Sequence, residues 1–217
     1  MERAFIIDKF NTYHDWRLIL TAKSISSPQP KTKYVSLDGM NGTLDLSEAL
    51  TGEITYNDRT VTATFLLTEG TLKERNIKLR EIVNKLHGRK VKLIEPDDLD
   101  HYLLGRITVK DTKNILPYSE ITIEAVCEPW RYSLEDIIRK VDVNGQAVDI
   151  VLTNNGAKNT SPEITIVGSV DIIFNDAQVS LTSGTYKVSD FKLCPGVNLV
   201  KVIGTGSATF KYKEVNI

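Results

Sequence analysis

Cysteine, histidine and tryptophan are scarce in these 217 residues, with two, three and two copies respectively. Two cysteines exclude a disulfide-stapled scaffold, and the chain is long enough to bury one large or two modest apolar cores without one. His14, His87 and His101 lie far apart, and none has a metal-ligating residue three or four positions further on. Neither a zinc site nor a histidine-activated nucleophile therefore has a signature. Charge of one sign is lacking too: 27 basic residues face 28 acidic ones, a net charge of −1. No field exists to capture nucleic acid or an anionic membrane. No uncharged apolar run approaches the length of a membrane span. Phosphate loops, dinucleotide fingerprints and nucleophile elbows are missing. Gly204-Thr-Gly206 comes nearest to a glycine motif and reads as a tight turn between two strands. Asp97, Asp98 and Asp100 lack the glycine and distant glutamate of a calcium loop, so they read as a solvated hairpin tip. No catalytic, cofactor-binding or metal-binding residues are expected.

What remains is a folded, mostly β chain. Hydrophobic residues at 41% and charged residues at 25% are ordinary for a globular protein. The first ten residues carry too short an apolar run for a signal peptide, interrupted by Asp8 and Lys9, so folding in a cytoplasm is expected. Leu18, Leu20 and Ala22 share one face of the segment Arg17–Ser26, which ends at Ser27-Pro-Gln-Pro30. Val61, Ala63, Phe65 and Leu67 alternate with threonines, as a half-buried strand requires. The single convincing helix spans about 72–87. Thr71 and Glu74 form a capping-box pattern, Leu72, Leu79, Ile82, Val83 and Leu86 make one face, Arg75 and the lysines lie elsewhere, and Gly88 suits the C-terminal turn. Lys90–Ile94 and Leu103–Lys110 read as a hairpin. Ile121, Ile123, Ala125 and Cys127 mark another strand, stopped by Pro129-Trp130.

Beyond Tyr132 the helical signal fades. Asn144-Gly145 predicts a two-residue hairpin turn. Short strand-like runs recur over 163–167, 171–174, 178–181, 185–188, 197–203 and 208–215, the spacing of an antiparallel sandwich. A domain boundary is expected within Glu128–Lys140, dividing residues 1–132 from 133–217. Cys127 reads as a small core residue and Cys194 as a turn residue, both free thiols. Trp16, Trp130 and Tyr132 are the aromatics available to stack on a sugar. Pro129, Trp130 and Tyr132 sit at the expected domain junction, where aromatics more often wedge domains together.

Several segments, in order, resemble the distal tail proteins of siphophages. In the first half these are Asp38-Gly39, Leu44-Asp-Leu46, Gly52 before Tyr56, Arg59 opening its strand, the lone helix, and Cys127-Glu-Pro129. In the second half they are Asn155-Gly156, Ser161-Pro-Glu-Ile-Thr-Ile-Val-Gly168 and Pro195-Gly-Val-Asn198. The resemblance implies a mainly β fold: an N-terminal β-barrel or sandwich-like domain with one helix, then a C-terminal galectin-like β-sandwich. It implies a non-enzymatic hub at the tail tip of a phage or prophage of hosts resembling Gram-positive bacteria. Such a hub assembles in the host cytoplasm as a hexameric ring. It joins the tail tube protein and tape-measure protein to the tail-associated spike or lysin and to receptor-binding proteins.

Lys33–Thr51 is long, carries two glycines and alternates only weakly. It reads either as an arm reaching a neighbouring subunit, through Asp38, Gly39, Met40, Asn41, Gly42, Leu44 and Leu46, or as an ordinary hairpin of its own barrel. Two other functions stay open. One is a glycan-binding module using the C-terminal sandwich; the other is the equivalent hub of a tail-derived bacteriocin or injection particle.

Overall fold

The computed structural model describes residues 3–175 and 177–217, which divide into two compact units between Trp130 and Arg131. Residue 217 belongs with the first unit. The first unit contains β1 (Ile6–Ile7), β2 (Phe10–Asn11), β3 (Ile19–Ile25), β4 (Tyr34–Val35), β5 (Leu44–Asp45), β6 (Arg59–Leu67), α1 (Leu72–Leu86), β7 (Lys90–Glu95), β8 (Asp98–Ile115) and most of β9 (Tyr118–Ser133). Seven of these strands form one sheet in the order β2-β1-β7-β8-β9-β6-β3, while β4 and β5 pair only with each other.

Strict alternation gives β6 its form: Val61, Ala63, Phe65 and Leu67 are buried and the intervening residues half-exposed. On α1 the capping box between Thr71 and Glu74 is formed, and His87 caps the far end ahead of a left-handed Gly88. The buried helix stripe is Arg75, Leu79, Ile82 and Leu86. Arg75 thus departs from the expected polar side. Its guanidinium donates to Ser119 Oγ at 3.1 Å and to the Gly70 carbonyl at 2.6 Å, which satisfies the charge inside. Leu72 is exposed instead.

The expected Leu18, Leu20, Ala22 face breaks after Leu20. A bulge between Leu20 and Ala22, where Thr21 Oγ donates to the Thr64 carbonyl, exposes Ala22 and turns Lys23 and Ile25 toward the interior. Lys23 then reaches Glu95 and, at 2.8 Å, Asp97, which Arg3 also holds. Because β3 ends the sheet on one flank and β7 lies near the other, this contact marks where the sheet has curled round onto itself. The β7–β8 turn is only Pro96–Asp97, tighter than expected, and Asp97 is ion-paired instead of merely solvated. Pro129 does not stop β9. The β6 ladder ends at Arg59–Cys127, so Pro129 has no amide bond to forfeit there, and its carbonyl accepts from the Arg59 guanidinium.

The second unit starts with the end of β9 and adds β10 (Ile137–Asn144), β11 (Val148–Asn154), β12 (Glu163–Phe174), β13 (Ala177–Lys187), β14 (Gly196–Tyr212) and β15 (Val215–Asn216). Here strands expected as separate are continuous: 163–174, 177–187 and 196–212 are each one strand. Asn144-Gly145 is no hairpin. β10 and β11 both run antiparallel to β14 with nearly continuous register, so Gly145 marks a break in one long edge.

Glycines explain both corrections. Gly145, Gly204 and Gly206, Gly168 and Gly184 fall on one line crossing the sheet. A Cβ on Gly206 would lie 1.8 Å from the Val167 carbonyl oxygen, and one on Gly168 would lie 2.1 Å from that of Thr205. Gly204-Thr-Gly206 is therefore a crease inside a strand, not a turn between two. The folded sheet brings the same face of both halves onto one core. Phe191 joins the halves, 4.6 Å from the Phe174 ring and 5.9 Å from the Phe210 ring.

Gly206→Ala is expected to cost the second unit about 2–4 kcal/mol, through positive φ and backbone overlap together. Gly145→Ala, with open space around it, should cost about 1 kcal/mol. Thermal melts that place the two variants together would refute the crease.

Lys23 supplies a second test. Burial disfavours its charge, but hydrogen bonds to Asp97 and Glu95 outweigh that and hold its pKa above the ordinary lysine value. Hydrogen bonds from Lys23 and Arg3 hold the Asp97 carboxyl below its usual range. Lys23 thus stabilises fully below about pH 10 and loses this as pH rises through its raised value; Asp97 does so above about pH 4 and loses it as pH falls. Lys23→Ala should cost about 2 kcal/mol at neutral pH by removing the ammonium beside the buried Glu95 carboxylate, against under about 0.5 for the exposed Lys85→Ala. It should also flatten the acid limb of the stability curve; unchanged urea midpoints across pH 3–7 would count against the closure.

Candidate assembly surface

No cluster of reactive groups emerges. Among the described residues, no three His, Cys, Asp or Glu side chains are grouped to hold a metal, and no helix is long and apolar enough to cross a membrane. Each histidine has a local neighbour: Tyr13 beside His14, the Val109 amide donating to His87 Nδ1 at 3.2 Å, and Asp98 2.8 Å from His101 Nδ1. Both cysteines are free. Cys127 packs over Gly105, where an added Cβ would lie 2.3 Å from the sulfur.

The segment expected as arm or hairpin leaves the main sheet altogether. Its base prolongs the β3–β6 hairpin: Ser26 donates to the Thr60 carbonyl, Pro30 bridges Tyr56, and Lys31 donates to the Thr55 carbonyl. Beyond that base the β4–β5 pair is hydrogen-bonded to no other strand. At the tip, the Met40 amide donates to the Leu37 carbonyl around a left-handed Gly39, and Gly42 is left-handed as well. Asp38, Gly39, Met40, Asn41, Gly42 and Leu44 are all exposed, and Leu46 is half-buried. The Leu46 amide donates to the Lys33 carbonyl. Asp45 is held below the usual carboxylate range by hydrogen bonds from the Ser47 hydroxyl and amide. Tyr34, Leu37 and Leu50 extend this apolar surface, with Leu50 at 96% exposure. These three went unnamed in the sequence reading. Their signal was the loss of core periodicity between Val35 and Ile54.

The junction residues divide. Pro129 and Trp130 belong to the first unit, where Trp130 packs edge-on to Tyr56 at 5.5 Å. Tyr132 belongs to the second, its backbone paired with Val215. Trp16 is 2% exposed and stacked on Phe10, so it offers no face to a sugar. In the second unit a polar depression of about 320 Å³ includes Tyr132, Asp136, Lys211 and Lys213. Asp136 lies 3.1 Å from Lys211 and 3.5 Å from Lys213 there, and the Lys211 hydrogen bond foremost holds its carboxyl low, while Glu163 and Lys187 also line the depression. The large exposed apolar residues of that unit include Ile138, Val151, Val197 and Leu199, and all those described are aliphatic.

Motif residues that read as punctuation prove to be buried ties. Asn198 Oδ1 accepts from the Cys194 amide at 2.9 Å, and its Nδ2 donates to the Cys194 and Leu152 carbonyls. Asn154 Oδ1 accepts from the Gly156 amide, and a Cβ on Gly156 would lie 2.7 Å from the Val215 backbone.

The fold is similar to that of a known phage protein. A likeness of TM-score 0.74, spanning 99% of this chain and 99% of the other at 14% identity, links it to the crystal structure of SPP1 Dit (gp 19.1). That protein is described as a paradigm of the hub adsorption apparatus in phages infecting Gram-positive hosts. The fold is thus shared with a siphophage hub protein. No known family profile and no curated protein sequence matches this chain.

The thiols give a direct check of the first unit. Burial foremost pushes the Cys127 thiol up to about 12, whereas Cys194 is exposed. A colorimetric disulfide reagent should titrate one thiol rapidly in the native protein and the second only in denaturant. Two fast thiols would show that β9 does not pack as described.

Proposed function

We propose that this chain is a non-enzymatic structural hub of a phage or prophage tail tip. The observation that carries the reading is the shared architecture over the full length of both chains. The reading extends to a hexameric ring, to the tail tube and tape-measure proteins on one side, and to the spike or lysin and receptor-binding proteins on the other. It places the protein in the virion tail tip after assembly in the bacterial cytoplasm. An infectious phage and a tail-derived particle fit it equally.

The exposed β4–β5 arm supports an assembly role. Apolar side chains that add nothing to their own core are retained at a cost in solubility, and subunit contact is the ordinary reason for keeping them. Pro129, Trp130 and Tyr132 flank the chain position at which the two units divide. A glycan-binding role for the second unit is less well supported, because its large exposed apolar residues are aliphatic and offer no aromatic platform.

Light scattering on purified protein is expected to find a species of six times the 24.3 kDa chain mass, alone or on addition of tail tube rings. A chain that stays monomeric under both conditions overturns the hub. Replacing residues 34–53 by a short turn should leave a folded monomer that melts within about 4 °C of the parent, since the arm contributes no core. Normal assembly by that variant would remove the arm from the interface.

A further inference from the structure

The arm and the helix of the first unit carry opposite, unspent charge. Residues 34–58 hold five carboxylates and no lysine or arginine. Residues 72–92 hold eight lysines and arginines against two glutamates. On the arm, the side chains of Asp38, Glu48 and Glu53 make no ion pair or hydrogen bond among the described residues. On the helix, Arg75 is buried and Lys85 is tied to Glu81, but Lys73 and Arg80 are exposed and equally without an ionic partner there.

Shape follows charge. Lys73, Asn76, Arg80 and Val83 recur at helical spacing along one flank of α1. The last three line an open cleft of about 400 Å³, completed by Leu79 and by Thr112 of β8. Leu79 and Val83 give the cleft its apolar lining and Arg80 a basic one, beside the polar Asn76 and Thr112. The arm is an apolar tip, Leu37 and Met40, with an acidic side chain between them. Such a pair has the apolar centre and charged margin of a protein interface.

We infer that the arm of one copy docks along the α1 cleft of a second copy, Leu37 and Met40 seated against Leu79 and Val83, and Asp38 facing Lys73 and Arg80. The inference rests on the hub reading and names its subunit contact. Donor and acceptor surfaces differ, so the contact is heterologous and each copy can give one arm and receive one.

Two singly substituted chains test it, both in a Cys194→Ser background with Cys127 buried. Met40→Cys on one, mass-tagged, is mixed with Val83→Cys on the other and treated with a short bismaleimide. Mixed dimers are expected at least tenfold above a control pair of Met40→Cys with Val151→Cys. In parallel, Lys73→Glu/Arg80→Glu should weaken association about tenfold or more, and Asp38→Lys/Glu48→Lys should restore it when both pairs are combined. Oligomers without selective cross-linking, or insensitive to both charge swaps, overturn the docking and leave the hub standing. Neither oligomers nor selective cross-links, with tail tube rings present, would overturn both.

Discussion

A sheet with one apolar face must have that face covered, and in this protein each sheet covers itself. The first curls until its flanks meet, with α1 contributing Leu79, Ile82 and Leu86 to the enclosed core. The second folds in half along a line of glycines. The two solutions need different chemistry. Curling requires one strand to change which face it presents, and the bulge after Leu20 does this, turning Lys23 inward to meet Glu95. Folding requires backbone to touch backbone, which any Cβ at Gly168 or Gly206 would block. Removal of either device would leave a half-covered sheet, since neither unit holds a second sheet large enough to pack on it.

Self-coverage has a consequence for the outside. Because the cores are closed by their own strands, the β4–β5 arm is not recruited to cover anything. Its leucines, methionine and tyrosine stay in water. Stability within a unit gives no reason to keep Leu50 almost wholly exposed, whereas a contact made between copies does.

How much of this was legible in the sequence depended on whether the determinant was local. The helix could be read because Thr71, Glu74 and Gly88 act within a few residues of themselves. The β6 alternation could be read for the same reason. Glycines were misread because their local meaning and their tertiary meaning differ: Gly204 and Gly206 prescribe unusual φ, but only the neighbouring strand at Val167–Ser169 says that the chain continues through them. Asn144-Gly145 failed likewise, its turn preference spent on a break in a long edge. Arg75 was placed outside on charge alone, though Ser119 and the Gly70 carbonyl, remote or unremarkable in sequence, make its burial affordable. Of the candidate surface, the tip around Gly39 and Gly42 was legible from its glycines. Tyr34, Leu37 and Leu50 had only the loss of core periodicity around them as a signal, since the degree of exposure is a property of the fold.

Net charge was the least informative quantity of all. A value of −1 reads as electrostatic indifference. Yet the sum conceals a stretch, residues 34–58, with five carboxylates and no lysine or arginine, and a helix region rich in bases. Opposite charges on two separate surfaces of one chain cancel in the total and add at a contact between copies. In the proposed ring, where one joint repeats from copy to copy, this separation of charge favours the contact. Each surface repels its own kind, which disfavours arm-on-arm and helix-on-helix pairing, and only the unlike pairing leaves one free arm and one free cleft to continue the chain of contacts until it closes.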